Sequence, residues 1–401
     1  MKRILFVDDE QSVLDGLRNS LFKQRREWSM VFALGGQAAI AELERTPFDV
    51  IVTDMRMPGM DGVALLTRVK NQYPSMARMV LSGHAEREAV DRAVAVAHQY
   101  LSKPCDCENL RAVIERTCAL QGLLRDDVVR RVIGGIDRLP SVPSTYQEIN
   151  AAISRSDAGI ADIAAIIERD PAMCVKILQL VNSSYFGLAQ RMTSVRQAVG
   201  YLGVELLKAL VLSVHVFTTM ETGPPIEFSL ERLQLHSLLT GRLARRFLKD
   251  PKQSEAAFAA GILHEIGKAI LAMSLPERFS EIVTAVRLER RCFHLVELEV
   301  IGVTHAEIGA YWLGVWGLPF PIVEAVANHH LPGRVTEGST DVLVAVHAAE
   351  TLAALSDPDP DDPLSEAELD VASIERAGFG GDLPLWRELA EVSVEEHRRA
   401  G

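Results

Sequence analysis

Carboxylates that end apolar runs are the first residues in this chain whose type and spacing could do chemistry. Val50-Ile51-Val52-Thr53 reads as a buried strand that stops at Asp54, and Pro58, Gly59 and Gly62 then force a loop before the next helix. Ile4-Leu5-Phe6-Val7 stops in the same manner at Asp8-Asp9-Glu10. Two more runs end in a hydroxyl, Met79-Val80-Leu81-Ser82, and in an ammonium, Tyr100-Leu101-Ser102-Lys103. An aspartate at a strand end is often only a turn former. Two acid-bearing strand ends side by side, however, make a hard, oxygen-rich pocket suited to Mg²⁺ with several waters retained. With Ser82 and Lys103 added, the parts are those of phosphoryl transfer to Asp54. The cation and Lys103 neutralise the developing charge, and Ser82 hydrogen-bonds a phosphoryl oxygen.

A second group is made of histidines. Of the 11 in the chain, eight lie between His215 and His347. His264-Glu265 interrupts the apolar helical run from Ala257 to Lys268, where two titratable side chains are costly unless paired or metal-bound. Thr304 and Glu307 form a capping box that places His305 in a helix's first turn. His329-His330 ends a helix just before Pro332, and His347 and Glu350, three apart, share a helix face.

The elements that must position these groups follow from periodicity. Strands are expected to begin near Arg3, Met30, Val50, Ala77 and His98, with helical runs between them at Val13–Leu21, Ala38–Leu43, Val63–Val69 and Val90–Val94. Strand alternating with helix implies a doubly wound parallel five-stranded sheet covered on both faces, with ligands bound at the carboxyl edge of its strands. From Glu108 to about Val132, apolar spacings of three and four predict one long helix. It either pairs with a second copy as a short coiled coil or folds back onto its own chain, and Gly134-Gly135 ends it. Beyond Leu139 the periodicity is helical, with Asp170 capping a helix that starts at Pro171. After Leu355 an acidic, proline-broken segment leads to two helices, the first opened by a Ser365-to-Glu368 capping box and the last docked by Trp386.

At 401 residues the chain is too long for one core. A net charge of -12 disfavours a nucleic-acid surface, which needs clustered Lys and Arg. The cysteines at 105, 107, 118, 174 and 292 form no ligand or disulfide framework and read as reduced intracellular thiols. Lys2-Arg3 leads directly into the first strand, and the longest apolar stretch, Leu206 to Met220, is too short to span a bilayer. A cytoplasmic location is expected, without a membrane partner.

On the strand-end motifs, residues 1–106 resemble the receiver domain of two-component response regulators. The resemblance implies that a histidine kinase phosphorylates Asp54, and that Asp9, Asp54 and the Arg56 carbonyl bind Mg²⁺ with Asp8 assisting through water. It also makes Ser82 and Tyr100 the switch pair and the Lys103–Pro104 bond cis. Residues 138–355 are similar to the HDOD branch of the metal-dependent HD phosphohydrolases. The similarity is carried by His264, Glu265, His305, His329, His330 and His347 with Leu139-Pro140, Asp170-Pro171, Asn182-Ser183, Leu202-Gly203 and Trp316-Gly317-Leu318-Pro319. It implies an all-α output domain and a vestigial HD-type site at those six residues, able to hold Zn, Fe or Mn. The superfamily's His-Asp doublet is His264-Glu265 here, and His347 stands where the catalytic relatives carry aspartate. After His329-His330 the chain reads Leu331-Pro332-Gly333-Arg334 in place of the Gly-Tyr-Pro of cyclic-di-GMP phosphodiesterases.

The expected organisation is a receiver (1–106), a signalling helix (107–137), a helical output domain (138–355) and an acidic linker with C-terminal helices (356–401). The expected function is a response regulator whose phosphorylation changes how a non-catalytic HDOD domain engages a downstream protein. The alternative is a phosphorylation-gated, metal-dependent phosphohydrolase acting on a nucleotide or cyclic nucleotide.

Overall fold

The computed structural model describes residues 1–82, 96–103, 106–122, 124, 127–136, 148–149, 152, 159–182, 188, 190–212, 229–336, 340–356 and 368–400. The chain divides into two compact units, the first built on residues 1–137 and the second on the helices beyond.

In the first unit β1 (Lys2–Asp8), β2 (Trp28–Leu34), β3 (Val50–Asp54), β4 (Ala77–Ser82) and β5 (Gln99–Ser102) form one parallel sheet in the order β2-β1-β3-β4-β5. Around it lie α1 (Gln11–Ser20), α2 (Gly36–Arg45), α3 (Gly62–Gln72), α4 (Cys107–Gln121) and α5 (Asp127–Gly134). The helical run expected at Val90–Val94 and the Lys103–Pro104 bond lie outside the described residues.

Period-two alternation sorts the strand side chains onto two cores. Leu5, Val7, Ile51 and Val80 meet Ile40, Leu43, Leu65, Leu66 and Val69 of α2 and α3 on one face. Ile4, Phe6, Val50, Val52, Met79 and Leu81 meet Leu14, Leu110, Val113, Ile114 and Cys118 of α1 and α4 on the other. Burial of a branched or aromatic side chain is worth about 1.5–3 kcal/mol, and a one-residue slip would turn every one of them to the wrong face. The register therefore holds the strand ends level, with Thr53 opposite Val80, Asp54 opposite Leu81 and Ser82 opposite Ser102.

The helix expected from Glu108 to Val132 is two helices, not one. Gln121 at the end of α4 donates through Nε2 to the Asp49 carbonyl, 3.0 Å away, at the amino end of β3. The sheet stops there, and Gly122 ends the helix that packed against it. α5 turns back onto the same unit. A Cβ at its last residue, Gly134, would stand 2.8 Å from the Pro74 carbonyl oxygen. The apolar stripe of Leu110, Val113 and Ile114 belongs to the first unit's own core, which removes it from a coiled-coil dimer.

The second unit has no strand among its described residues. In order it comprises α6 (Ile160–Ile167), α7 (Pro171–Val181), α8 (Val195–Leu212, broken at Gly203 with φ 73°), α9 (Leu230–Phe247), α10 (Pro251–Leu263), α11 (Ile266–Ser274), α12 (Pro276–Glu289) and α13 (Phe293–Val300). There follow α14 (His305–Val315), α15 (Phe320–Asn328), a 3₁₀ turn (Pro332–Arg334), α16 (Asp341–Ser356), α17 (Val371–Arg376) and α18 (Leu383–Ala400). The expected caps form: Asp170 Oδ1 accepts from the Met173 N–H at 3.1 Å, and Thr304 and Glu307 bond each other's backbone N–H at 3.0 and 3.2 Å. Ser365 lies outside the described residues. Trp386 docks α18 by stacking on Phe247, with ring centroids 4.5 Å apart and 4° between planes. The stretch Pro251–Ser274 is long and apolar enough to cross a membrane, but 89% of that window is buried.

His98 gives the first unit a pH-dependent stability. The Arg78 backbone N–H donates to its Nδ1 at 3.1 Å, and the Arg78 guanidinium lies 2.7 Å from Nε2. Burial, reinforced by that guanidinium, lowers its pKa well below the ordinary 6.5, so the ring is neutral when folded. An unfolded chain takes up the proton near pH 6.5, so stability is complete above that value and falls as the pH drops below it, by at most about 1.4 kcal/mol per pH unit for one proton. The opening free energy of β4 amides, measured by hydrogen exchange with intrinsic rates corrected, is expected to fall between pH 7 and 5.5 in the wild type. It should stay nearly flat in His98→Gln; an equal fall in the variant would assign the effect elsewhere.

Candidate functional site

At the carboxyl edge of the sheet, Asp8 and Asp54 come together although 46 residues separate them. Both are largely buried, with 1% and 9% of their surface exposed. The Lys103 ammonium reaches both, 2.9 Å from Asp8 Oδ2 and in direct contact with Asp54 Oδ1. Asp8 Oδ1 accepts the Glu10 N–H at 2.9 Å, and Asp54 Oδ2 accepts the Arg56 N–H at 2.8 Å. Burial of Lys103 opposes its charge, yet hydrogen bonds to Asp54 and Asp8 outweigh this and hold its pKa above the ordinary lysine value. Two glycine-dependent features shape the loop. Gly59 has φ 79°, and a Cβ at Gly62 would stand 2.2 Å from the Asp54 carbonyl oxygen, so α3 can begin that close only because Gly62 has no side chain. Asp61 caps α3 by accepting the Ala64 N–H at 2.8 Å.

Asp9 lies exposed beside the pocket. The backbones of Ser82 and Tyr100 end β4 and run in β5, while their side chains lie outside the described residues. Two buried carboxylates sharing one ammonium leave a net negative pocket with hard oxygen donors, and Mg²⁺ fits that donor set.

In the helical unit, close backbone contacts bring the histidines together. α9 and α10 cross where a Cβ at Gly261 would stand 2.6 Å from Gly241 Cα. That approach places His236 against His264, ring centroids 5.3 Å apart. A Cβ at Gly267 would meet the His305 carbonyl oxygen at 1.9 Å, so the starts of α11 and α14 abut and Glu265 faces His305. His264 and Glu265 are not interior to one helix, as the sequence suggested. They form the two-residue joint between α10 and α11, where Glu265 has φ −93° and ψ 3°. The joint redirects the chain and turns both side chains inward, where each is almost wholly buried.

Ligand atoms of Glu265, His305, His329 and His330 lie within 4.8 Å of one another, and those of His236, His264 and Glu265 form an adjoining group. His305 Nε2 is 3.4 Å from Glu265 Oε1 and 3.0 Å from His330 Nε2. The outer nitrogens are held: His264 Nδ1 donates to the Gly261 carbonyl at 2.6 Å, His329 Nδ1 to the Val326 carbonyl at 2.8 Å, and His305 Nδ1 lies 2.7 Å from Glu297 Oε2. This leaves the lone pairs of His264 Nε2 and His329 Nε2 aimed inward, buried and without a hydrogen-bond partner among the described residues. Imidazoles fixed on one nitrogen by a carbonyl or carboxylate and open on the other are the arrangement that metal-binding histidines adopt.

The electrostatics follow from burial. Desolvation lowers His264 to about 3 and pushes His329 and His330 well below the ordinary histidine value, so these rings are neutral. Burial also opposes charge on His305, but Glu297 and Glu265 outweigh it and raise its pKa to about 10. Glu265 is pushed up by burial but held well below the carboxylate range by the Lys268 ammonium, 2.7 Å from Oε2, and by His305.

His347 lies against the cluster, not in it. Its Nδ1 bonds the His329 carbonyl at 2.6 Å and its Nε2 accepts the Asp370 N–H at 2.9 Å, so both nitrogens are committed to backbone. One turn on, Glu350 supplies the inward carboxylate, 3.6 Å from His330 Nδ1 and 3.9 Å from His329 Nε2. His236 and Glu297 escape sequence reasoning because no local pattern singles them out: His236 is the one histidine of α9, and Glu297 sits between Val296 and Leu298 just as Glu299 sits between Leu298 and Val300.

A family model of the response regulator receiver domain matches residues 4–115, and one of the HDOD domain matches 139–332. An uncharacterized protein of Treponema pallidum is 31% identical over 201 residues, covering 49% of this chain and 38% of that protein. The hydrogenase transcriptional regulatory protein HoxA of Cupriavidus necator is 34% identical over 125 residues, covering 31% of this chain and 25% of that protein. The chain thus spans well under two thirds of either relative. Among solved structures, a virulence factor from Campylobacter jejuni aligns with 68% of this chain and 97% of its own at 21% identity and a TM-score of 0.54, a likeness of fold. With the receiver model lying on the sheet that carries Asp54 and the HDOD model on the helices that carry the histidines, the chain is a response regulator with an N-terminal receiver domain and a C-terminal HDOD domain.

Proposed function

We propose that this response regulator, in the cytoplasm, accepts a phosphoryl group on Asp54 from a histidine kinase and passes the signal through a non-catalytic HDOD domain to a protein partner. The observation that carries the receiver reading is the sharing of one ammonium, Lys103, between two buried carboxylates, Asp8 and Asp54. In the transfer an Asp54 carboxylate oxygen forms the new P–O bond as the donor's P–N bond breaks and the leaving imidazole is protonated. Lys103 offsets charge on the phosphoryl oxygens, and the Arg56 N–H holds the second Asp54 oxygen. Asp8, Asp9, Asp54 and the Arg56 carbonyl would hold Mg²⁺, which supplies further neutralisation of the phosphoryl charge. Ser82 and Tyr100 take the switch roles, responding to the close to two negative charges added at Asp54.

Treating the full chain with a small phosphodonor and Mg²⁺ is expected to add one phosphoryl group, seen by mass spectrometry, and Asp54→Asn is expected to take up none. Unchanged labelling of Asp54→Asn would remove Asp54 as the acceptor.

For the HDOD domain the reading rests on charge balance. Glu265, Glu297 and Glu350 are each at most 1% exposed, and Lys268 is the ammonium among them. Three carboxylates against one ammonium leave two negative charges once His305 gives up its proton, the charge of one divalent ion bound with every imidazole neutral. A pair of divalent ions would leave the site strongly positive, and buried uncompensated charge is prohibitive. Lys268 also occupies one oxygen of Glu265, so that carboxylate is poorly placed to bridge two ions. His264, Glu265, His305, His329 and His330 would hold a single Zn, Fe or Mn ion, which imidazoles suit without bridging carboxylates. Bound there, the ion would act as a structural centre, neutralising the carboxylates.

The full chain, loaded with Mn²⁺ or Zn²⁺ and with or without a phosphoryl mimic on Asp54, is expected to hydrolyse model phosphodiesters and cyclic dinucleotides no faster than its His264→Ala variant. Robust turnover abolished by His264→Ala would replace this reading with that of a phosphorylation-gated phosphohydrolase.

A further inference from the structure

The segment beyond the HDOD match reaches back to the histidine cluster through His347. Because the Asp370 N–H donates to His347 Nε2, that nitrogen carries the lone pair and Nδ1 carries the proton, which it donates to the His329 carbonyl. This carbonyl belongs to the peptide joining His329 to His330, the two adjacent rings of the cluster. One neutral, buried imidazole thus ties the orientation of that peptide to residue 370, which lies 38 residues past the end of the family match.

Asp370 is itself fixed. It caps α17, its Oδ1 accepting the Ser373 N–H at 2.9 Å and its Oδ2 the Ser373 hydroxyl at 2.6 Å, while Arg376 donates to Ser373 Oγ at 2.5 Å. A second contact closes on the same place. The turn that follows His330 passes so near this cap that a Cβ at Gly333 would stand 3.1 Å from Asp370 Oδ2 and 3.5 Å from Ser373 Oγ. The His329-His330 pair is therefore held from both sides, at its own carbonyl and at the turn leaving it, by one capped helical turn.

We propose that residues 370–376 are a positioning clamp for the histidine cluster, with His347 the positioning residue that links the clamp to His329 and His330. His347 is no ligand in this role: it fixes a peptide plane and thereby the direction of two rings. The proposal rests on the one-ion reading for its metal readout, and on the ring geometry alone for its other readout.

The test uses the full chain as wild type, His347→Phe, His347→Gln and Ser373→Ala, each titrated with Co²⁺ and followed by its visible ligand-field spectrum. Loss of a hydrogen bond that orients a ligand costs about 10–100-fold in metal affinity. His347→Phe is expected to bind Co²⁺ more weakly by that factor and with an altered spectrum. His347→Gln, which keeps one donor and one acceptor, should recover most of the affinity, and Ser373→Ala should show a smaller loss. A folded His347→Phe with the wild-type affinity and spectrum would overturn the clamp. Imidazole ¹⁵N spectra of the metal-free proteins give an independent answer: the His329 and His330 signals should shift in His347→Phe and in Ser373→Ala. If wild type takes up no Co²⁺, the one-ion reading falls, and the clamp stands or falls on those shifts. If His347→Phe does not fold, Ser373→Ala decides by the same spectra, and unmoved His329 and His330 signals in it reject the clamp.

Discussion

Three carboxylates sealed in an apolar helical bundle set the terms for the whole C-terminal domain. An isolated buried carboxylate cannot stay ionised, because the loss of hydration far exceeds what packing returns. Glu265 meets this with the Lys268 ammonium at 2.7 Å, and Glu297 with His305 at 2.7 Å. Glu350 faces His329 and His330, whose own burial keeps them neutral. Imidazoles that must stay uncharged cannot balance a carboxylate by themselves. The residual negative charge makes a bound cation part of the structure's logic, because a proton on His305 offsets one of the two charges and leaves the other.

The backbone is arranged to make this concentration of polar groups possible. Gly241 and Gly261 let α9 and α10 approach closely, and Gly267 lets α11 begin against the main chain of His305. A Cβ at Gly267 would overlap that carbonyl, so alanine there would separate Glu265 from His305 and strand both charges. The receiver uses the same device once, at Gly62 beneath Asp54. In both domains a glycine is placed where a helix start must press on the backbone of a functional residue.

Much of the receiver was legible because its signals are local. Apolar runs that stop at Asp8 and Asp54 give both the strands and the edge where they end, and five parallel strands followed. The helix through residues 108–132 was over-extended because its periodicity continues past the point where the sheet beneath it ends. That boundary is set by Asp49, some seventy residues away, and no local pattern carries it. The histidine cluster was legible as a set of improbable polar residues in apolar helices, but its directions were not. His347 and Glu350 share a helix face, and which of them points at the rings depends on bonds from His347 to the backbones of residues 329 and 370. His236 and Glu297 look like solvated-face residues until the crossings of their helices are known, since compensation of charge is a property of three dimensions.

The charge balance leads to a stoichiometry, which elemental analysis of the full chain, purified without chelator or affinity tag, reads directly. One equivalent of a divalent transition metal per chain, lost in His329→Ala and retained in Asp54→Asn, is the result this account requires. Two equivalents per chain, or none in a protein that remains folded, would contradict it.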